Sequence, residues 1–319
     1  MNIVVLNECF LGDRHFKRLN KLGKVFIYPS TRSEKEAIER LKNISIAVIH
    51  CSLLPISSNI LKNAKSLKYI SLASTGYDLV DLKAARNCKI IVSNLPTYGT
   101  DAVAEQTFGL ILATIRKIVE LDKIFRKKPF EINSIKNLTT SPYVGFNLRG
   151  KTLGIIGLGR IGSRVAEIAQ AMGMNVIAND IIPKSMKGVR ITSFEEILKN
   201  SDILSLHTPL TDKTFNMIAE KQLMLMKPQA IIINTARGKL IKTKALFMAL
   251  KNKIIAGAGI DVLAENDKLN PLINLKNVVL TPHSAWYTRE SFENIANTVV
   301  ANIEAYVKNK PINVVSSEL

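Results

Sequence analysis

Gly157, Gly159 and Gly162 lie in the run Gly157-Leu158-Gly159-Arg160-Ile161-Gly162, directly after the apolar stretch Leu153 to Ile156. Glycines at that spacing let backbone approach a pyrophosphate at a helix N-terminus, making Gly157, Gly159, Arg160, Ile161 and Gly162 candidate cofactor contacts. Asp180 ends the next apolar run, 18 residues past Gly162. A carboxylate there accepts ribose hydroxyl protons and repels a ribose phosphate, so NAD is expected over NADP, with Lys184 near enough to soften that repulsion.

A nicotinamide site implies hydride transfer, which needs a proton donor for the developing alkoxide and a grip on the substrate. His283, in Thr281-Pro282-His283-Ser284-Ala285-Trp286, follows the last apolar run and titrates in the right range to donate that proton. Arg237, in Asn234-Thr235-Ala236-Arg237-Gly238, can clamp a carboxylate through two parallel hydrogen bonds, which implies a 2-oxo or 2-hydroxy acid. Thr235 and Ala236 share that strand end and are candidate cofactor contacts. A carboxylate beside His283 would orient its ring and favour the imidazolium; Glu265 is the candidate, with Asp267 behind it. Asp261, after Gly257-Ala258-Gly259-Ile260, reads as a loop support or a cofactor-region residue. His207, Thr208 and Pro209 end another apolar run and could cover the cofactor, with His207 a turn residue rather than the acid. Backbone amides of Ser74, Thr75 and Gly76 could hold the other edge of the substrate carboxylate.

Short apolar runs must position these groups. Five occur early, at Ile3 to Leu6, Lys24 to Tyr28, Ile44 to His50, Tyr69 to Leu72 and Ile90 to Ser93. Six follow, at Leu153 to Ile156, Asn175 to Ala178, Ile203 to Leu206, Ala230 to Asn234, Ala256 to Ile260 and Val278 to Thr281. Alternating with polar helical segments, they predict an α/β protein with two domains. One is a doubly wound, parallel-sheet NAD-binding domain over residues 99–285. The other is a smaller, discontinuous α/β substrate domain of residues 1–98 and 286–319, with the active cleft between them. A single long helix is expected over Asp101 to Phe125, with Asp101 as its cap, and a last helix over Glu290 to Lys308 returns to the first domain.

The net charge of +18 invites the thought of polyanions, but the lysines are scattered and the densest cluster is Arg126-Lys127-Lys128. A general surface bias is the reading, without nucleic acid or membrane as partner. Cys9, Cys51 and Cys88 have no paired spacing for zinc or a dithiol, so buried thiols and no metal are expected. No apolar stretch is long enough for a membrane span, and the expected location is cytoplasmic.

Taken in order along almost the whole chain, these motifs resemble those of the D-isomer-specific 2-hydroxyacid dehydrogenases. They are Ser74-Thr75-Gly76-Tyr77-Asp78, the glycine run, His207-Thr208-Pro209-Leu210-Thr211, Met226-Lys227-Pro228, Asn234 to Gly238, Gly259-Ile260-Asp261-Val262 and Asn277 to His283. The resemblance implies a homodimer and a catalytic arginine, glutamate and histidine, of which Arg237 and His283 match directly. Members place the glutamate five residues after the equivalent of Asp261, where this chain has Asn266, so the glutamate does not match cleanly: either Glu265 takes its place through a one-residue deletion, or the displacement is real and activity is reduced. Within the family, Pro96 to Asp101 and His283 to Glu290 are most similar to glycerate dehydrogenases, also called hydroxypyruvate reductases, which implies exchange of hydroxypyruvate and D-glycerate. A D-3-phosphoglycerate dehydrogenase or another D-2-hydroxyacid dehydrogenase is the alternative, and an NADH-sensing protein-interaction module is the alternative of a different class.

Overall fold

The structure is a computed structural model and describes residues 1–7, 9–50, 53–127, 143–182, 185–264 and 270–316. The chain divides into two compact units, Met1–Gly99 with Tyr287–Leu319, and Thr100–Trp286.

The smaller unit holds five parallel strands, β1 (Asn2–Leu6), β2 (Lys24–Tyr28), β3 (Ile46–Ile49), β4 (Tyr69–Leu72) and β5 (Ile91–Ser93), in the order β2-β1-β3-β4-β5. Strands β3 and β4 are buried at every position, as parallel strands covered on both faces must be, and this is why they read as unbroken apolar runs. The helix Arg289–Val307 completes the unit. Tyr306 stacks on Tyr69 with ring centroids 4.2 Å apart, Glu304 takes both ends of the Arg18 guanidinium at 2.9 and 2.8 Å, and buried Asn302 donates to the Asn94 carbonyl at 3.0 Å.

The larger unit is a seven-stranded parallel sheet: β6 (Thr152–Ile156), β7 (Asn175–Asn179), β8 (Val189–Ile191), β9 (Ile203–Leu206), β10 (Ile231–Asn234), β11 (Gly257–Ile260) and β12 (Val278–Leu280). Its order is β12-β11-β10-β9-β6-β7-β8, a doubly wound arrangement that reverses between β6 and β9. Alternate side chains feed two cores. Leu153, Ile155, Ile231 and Ile233 pack with the helices Thr100–Ile115 and Arg160–Ala171, while Ile156, Leu204, Leu206 and Ile232 pack with Phe194–Asn200 and Thr243–Lys251.

Three expectations are corrected. Strand β8 was not among the six expected, because its three residues at a sheet edge, with Arg190 and Ile191 exposed, carry no apolar run. The long helix is two, Thr100–Ile115 and Ile118–Lys127, broken where Lys117 takes a left-handed φ of 54°. Gly145 backbone packs so closely on the Ile115 carbonyl that a Cβ would collide with it, a contact made from far along the chain. Asp101 sits inside the first turn rather than at its cap, and its carboxylate accepts from Arg164 Nε at 2.7 Å. Cys9 is buried, Cys88 is partly exposed, and Cys51 lies outside the described residues.

Candidate active site

Strand register sets the site. Asn179, Ile156, Leu206, Asn234, Ile260 and Leu280 are successive partners across the sheet, so the residues that follow them, Asp180, Gly157, His207, Thr235, Asp261 and Thr281, leave the strands in one row. That row is the carboxyl edge of an open α/β sheet, and its switch point lies between Gly157 and His207.

Each glycine of the turn has its own reason. Gly157 adopts φ +94°, and a Cβ there would lie 2.5 Å from the His207 carbonyl oxygen. Gly162 faces the Gly157 carbonyl too closely for any side chain, which binds the helix Arg160–Ala171 tightly to its strand. A Cβ on Gly159, by contrast, would meet nothing within 4 Å, so the space above the helix N-terminus stays open for a phosphate. Asp180 closes the turn, accepting from the Leu158 amide at 2.6 Å on one oxygen and the Ile182 amide at 2.8 Å on the other. Each oxygen keeps a second acceptor position, so a ribose hydroxyl fits this donor set. Two of these positions predict different failures: Gly162→Ala should lower the Tm of the free protein, whereas Gly159→Ala should leave Tm in place and weaken NADH binding at least about tenfold. Thermal melts beside NADH titration check this, and equal behaviour of the two variants would refute it.

Arg237 leaves β10 through a turn held from within. Buried Asn234 accepts from the Ala236 amide at 3.0 Å and donates to the Arg237 carbonyl at 2.8 Å. Gly238 packs against the backbone of Leu263 and Ala264 with no room for a Cβ, so the Arg237 turn lies against the segment that leads to position 265. Buried Thr235 has its hydroxyl 3.1 Å from that of Thr107.

His283 is exposed and takes a left-handed φ of 55°. Asp261, 1% exposed, imposes that shape: its carbonyl accepts the His283 amide at 2.7 Å, and its carboxylate accepts the Thr281 hydroxyl at 2.5 Å, the Ser284 amide at 3.0 Å and the Ala285 amide at 3.1 Å. The Asp261 carboxylate is therefore committed to building the turn under His283.

The family model of the D-isomer specific 2-hydroxyacid dehydrogenase NAD binding domain matches residues 108–285. The chain belongs to this family. It is therefore an NAD-dependent D-2-hydroxyacid dehydrogenase, acting on small 2-oxo and D-2-hydroxy acids. It is 42% identical over 317 residues to a glyoxylate reductase of Thermococcus litoralis, covering 97% of this chain and 95% of that one. It is 40% identical over 294 residues to a glycerate dehydrogenase of Methylorubrum extorquens, covering 91% of each. An acyclic imino acid reductase in complex with NADPH and D-Arg superposes with a TM-score of 0.92 at 38% identity, over 99% of this chain and all of that one.

The sheet edge of this D-2-hydroxyacid dehydrogenase brings together Gly157, Gly159, Asp180, His207, Thr235, Ala236, Arg237 and Asp261, with Arg160, Ile161 and Gly162 opening the adjoining helix. Thr208 and Pro209 follow His207 on the same edge. Glu265, Asp267 and Lys184 lie outside the described residues. In the other unit, Ser74 donates its hydroxyl to the Gly76 carbonyl at 2.8 Å and Thr75 to the Leu95 carbonyl at 2.6 Å, leaving their side chains bound to backbone. Asn234 and Thr107 escaped sequence reading. Asn234 is the last residue of its strand, and Thr107 sits at an ordinary core position of a helix.

Burial pushes the His207 imidazolium down to about 4, and its Nε2 lies 2.8 Å from Ser205 Oγ. Burial thus favours the neutral ring over the imidazolium at this strand end. Because the folded pKa lies below the unfolded value near 6.5, the unfolded state takes up the proton first. Stability is full above about pH 6.5 and falls toward pH 4, by about 3 kcal/mol. Urea titrations of wild type and His207→Gln across that window test this; parallel pH curves would refute it.

Proposed function

We propose that the enzyme interconverts hydroxypyruvate and D-glycerate with NAD(H). The observation that carries this reading is the strand register, which sets the Arg237 turn, the Asp261 carboxylate and the His283 turn on the neighbouring strands β10, β11 and β12. In the reductive direction Arg237 binds the substrate carboxylate in a bidentate grip and polarises the adjoining carbonyl. The bound cofactor supplies a hydride to C2. His283 as imidazolium gives its ring proton to the C2 oxygen, and takes it back in the oxidative direction. Glu265 favours the charged ring, and the amides of Ser74, Thr75 and Gly76 share the carboxylate. The likeness to a glycerate dehydrogenase supports a hydroxymethyl group at C2.

Glyoxylate, with hydrogen in place of that group, is the second reading, favoured by the glyoxylate reductase matched over 97% of this chain. Initial rates of NADH oxidation with hydroxypyruvate, glyoxylate, pyruvate and 3-phosphohydroxypyruvate separate the two. Preference for hydroxypyruvate by kcat/KM supports the first, preference for glyoxylate the second, and no turnover despite NADH binding would favour a sensing role.

The same reading includes a homodimer. No residue of the helix Ile118–Lys127 is buried within the single chain, and Ile118 is 53% and Val119 39% exposed, apolar surface that a second copy would cover. Light scattering after gel filtration should give twice the chain mass, and Val119→Asp should shift it toward monomer. A monomeric wild type at micromolar concentration would overturn this.

A further inference from the structure

The helix Thr100–Ile115 touches the candidate site through one buried side chain that hydride-transfer chemistry does not call for. Thr107 is 0% exposed and its Oγ1 lies 2.8 Å from the Val103 carbonyl, one turn back, and 3.1 Å from Thr235 Oγ1. The Val103 carbonyl can only accept, so the Thr107 proton goes there, and the remaining lone pairs of Thr107 face the Thr235 hydroxyl, which must then be the donor. Thr235 is 7% exposed and is the first residue beyond β10, two before Arg237. Its backbone lies inside the loop that Asn234 closes with its bonds to Ala236 and Arg237. Asn234 thus closes the turn on itself, while Thr107 ties it to a helix.

We propose that Thr107 is a positioning residue for Arg237, acting through the hydroxyl of Thr235; this rests on the reading of Arg237 as the carboxylate clamp. Because a bidentate grip depends on direction, the tether decides how often the guanidinium presents both N–H groups to the substrate. Removing only the Thr107 oxygen leaves a buried Thr235 hydroxyl without its acceptor, and the turn gains freedom to swing toward another.

The test is a double-mutant cycle on the full-length enzyme with Thr107→Val and Arg237→Ala, the readouts being kcat and KM for the preferred 2-oxo acid and the Kd for NADH. Thr107→Val should raise KM for the acid about tenfold, with NADH affinity and Tm little changed, and Thr107→Ser should restore it. In the Arg237→Ala background the same substitution should cost nothing further. An additive cost there, or a KM unchanged by Thr107→Val while Arg237→Ala raises it, overturns the proposal. If Arg237→Ala itself leaves KM unchanged, it is the clamp reading that fails. A loss of Tm in Thr107→Val that Thr107→Ser repairs without repairing KM would mark Thr107 as a packing residue and overturn the positioning role.

Discussion

Replacing His283 with alanine is expected to lower kcat for 2-oxo acid reduction by about 10²- to 10⁴-fold while NADH still binds, the range lost when a positioned general acid is removed. The ring is exposed, and the bonds that shape its turn come from Asp261 to backbone amides and the Thr281 hydroxyl, none of them using the imidazole. Stopped-flow reduction beside an NADH fluorescence titration measures both quantities. Turnover within about threefold of wild type would remove His283 from the proton-transfer role.

Arg237→Lys is the second large effect. Lysine keeps the charge but loses the planar fork, so the carboxylate is held at one point and its neighbouring carbonyl is free to rotate off line. kcat/KM should drop about 10²-fold, with most of the loss in KM if the grip is equal in ground and transition states and in kcat if it tightens during reaction. The guanidinium also donates from Nη1 to the Ala236 carbonyl at 2.9 Å, but the turn itself should survive, since Asn234 bonds the backbone of both Ala236 and Arg237. Restoration of rate by added guanidinium in Arg237→Ala would support the same role. Unchanged kcat/KM in Arg237→Lys would refute the bidentate clamp.

Much of this architecture could be read from residue order because parallel strands covered on both faces are written as apolar runs. Ile203–Leu206 and Tyr69–Leu72 were bounded to the residue for that reason, and glycine spacing together with Asp180 marked the dinucleotide turn. What escaped depends on contacts between distant segments. Strand β8 carries only Val189, Arg190 and Ile191 at an edge and pairs with β7 without an apolar face to advertise it. The break after Ile115 answers to Gly145, far along the chain. Arg237 and His283 stood out by residue type, yet what holds them did not. Asn234 and Thr107 are ordinary polar residues whose roles exist only once a strand end and a helix have been brought together. Glu265 remains where residue order put it, as the proposed partner of His283.

The left-handed backbone at His283 has a consequence for how such a chain ages. A residue bearing a side chain loses roughly 1 to 2 kcal/mol in that conformation, and asparagine or glycine loses less. Under the proton-donor role proposed for His283, selection for turnover and selection for a durable fold pull in opposite directions at position 283. In a lineage that kept the nucleotide domain as a sensor and gave up reduction, histidine would be released to drift, and its replacement by glycine or asparagine would leave a sturdier protein behind.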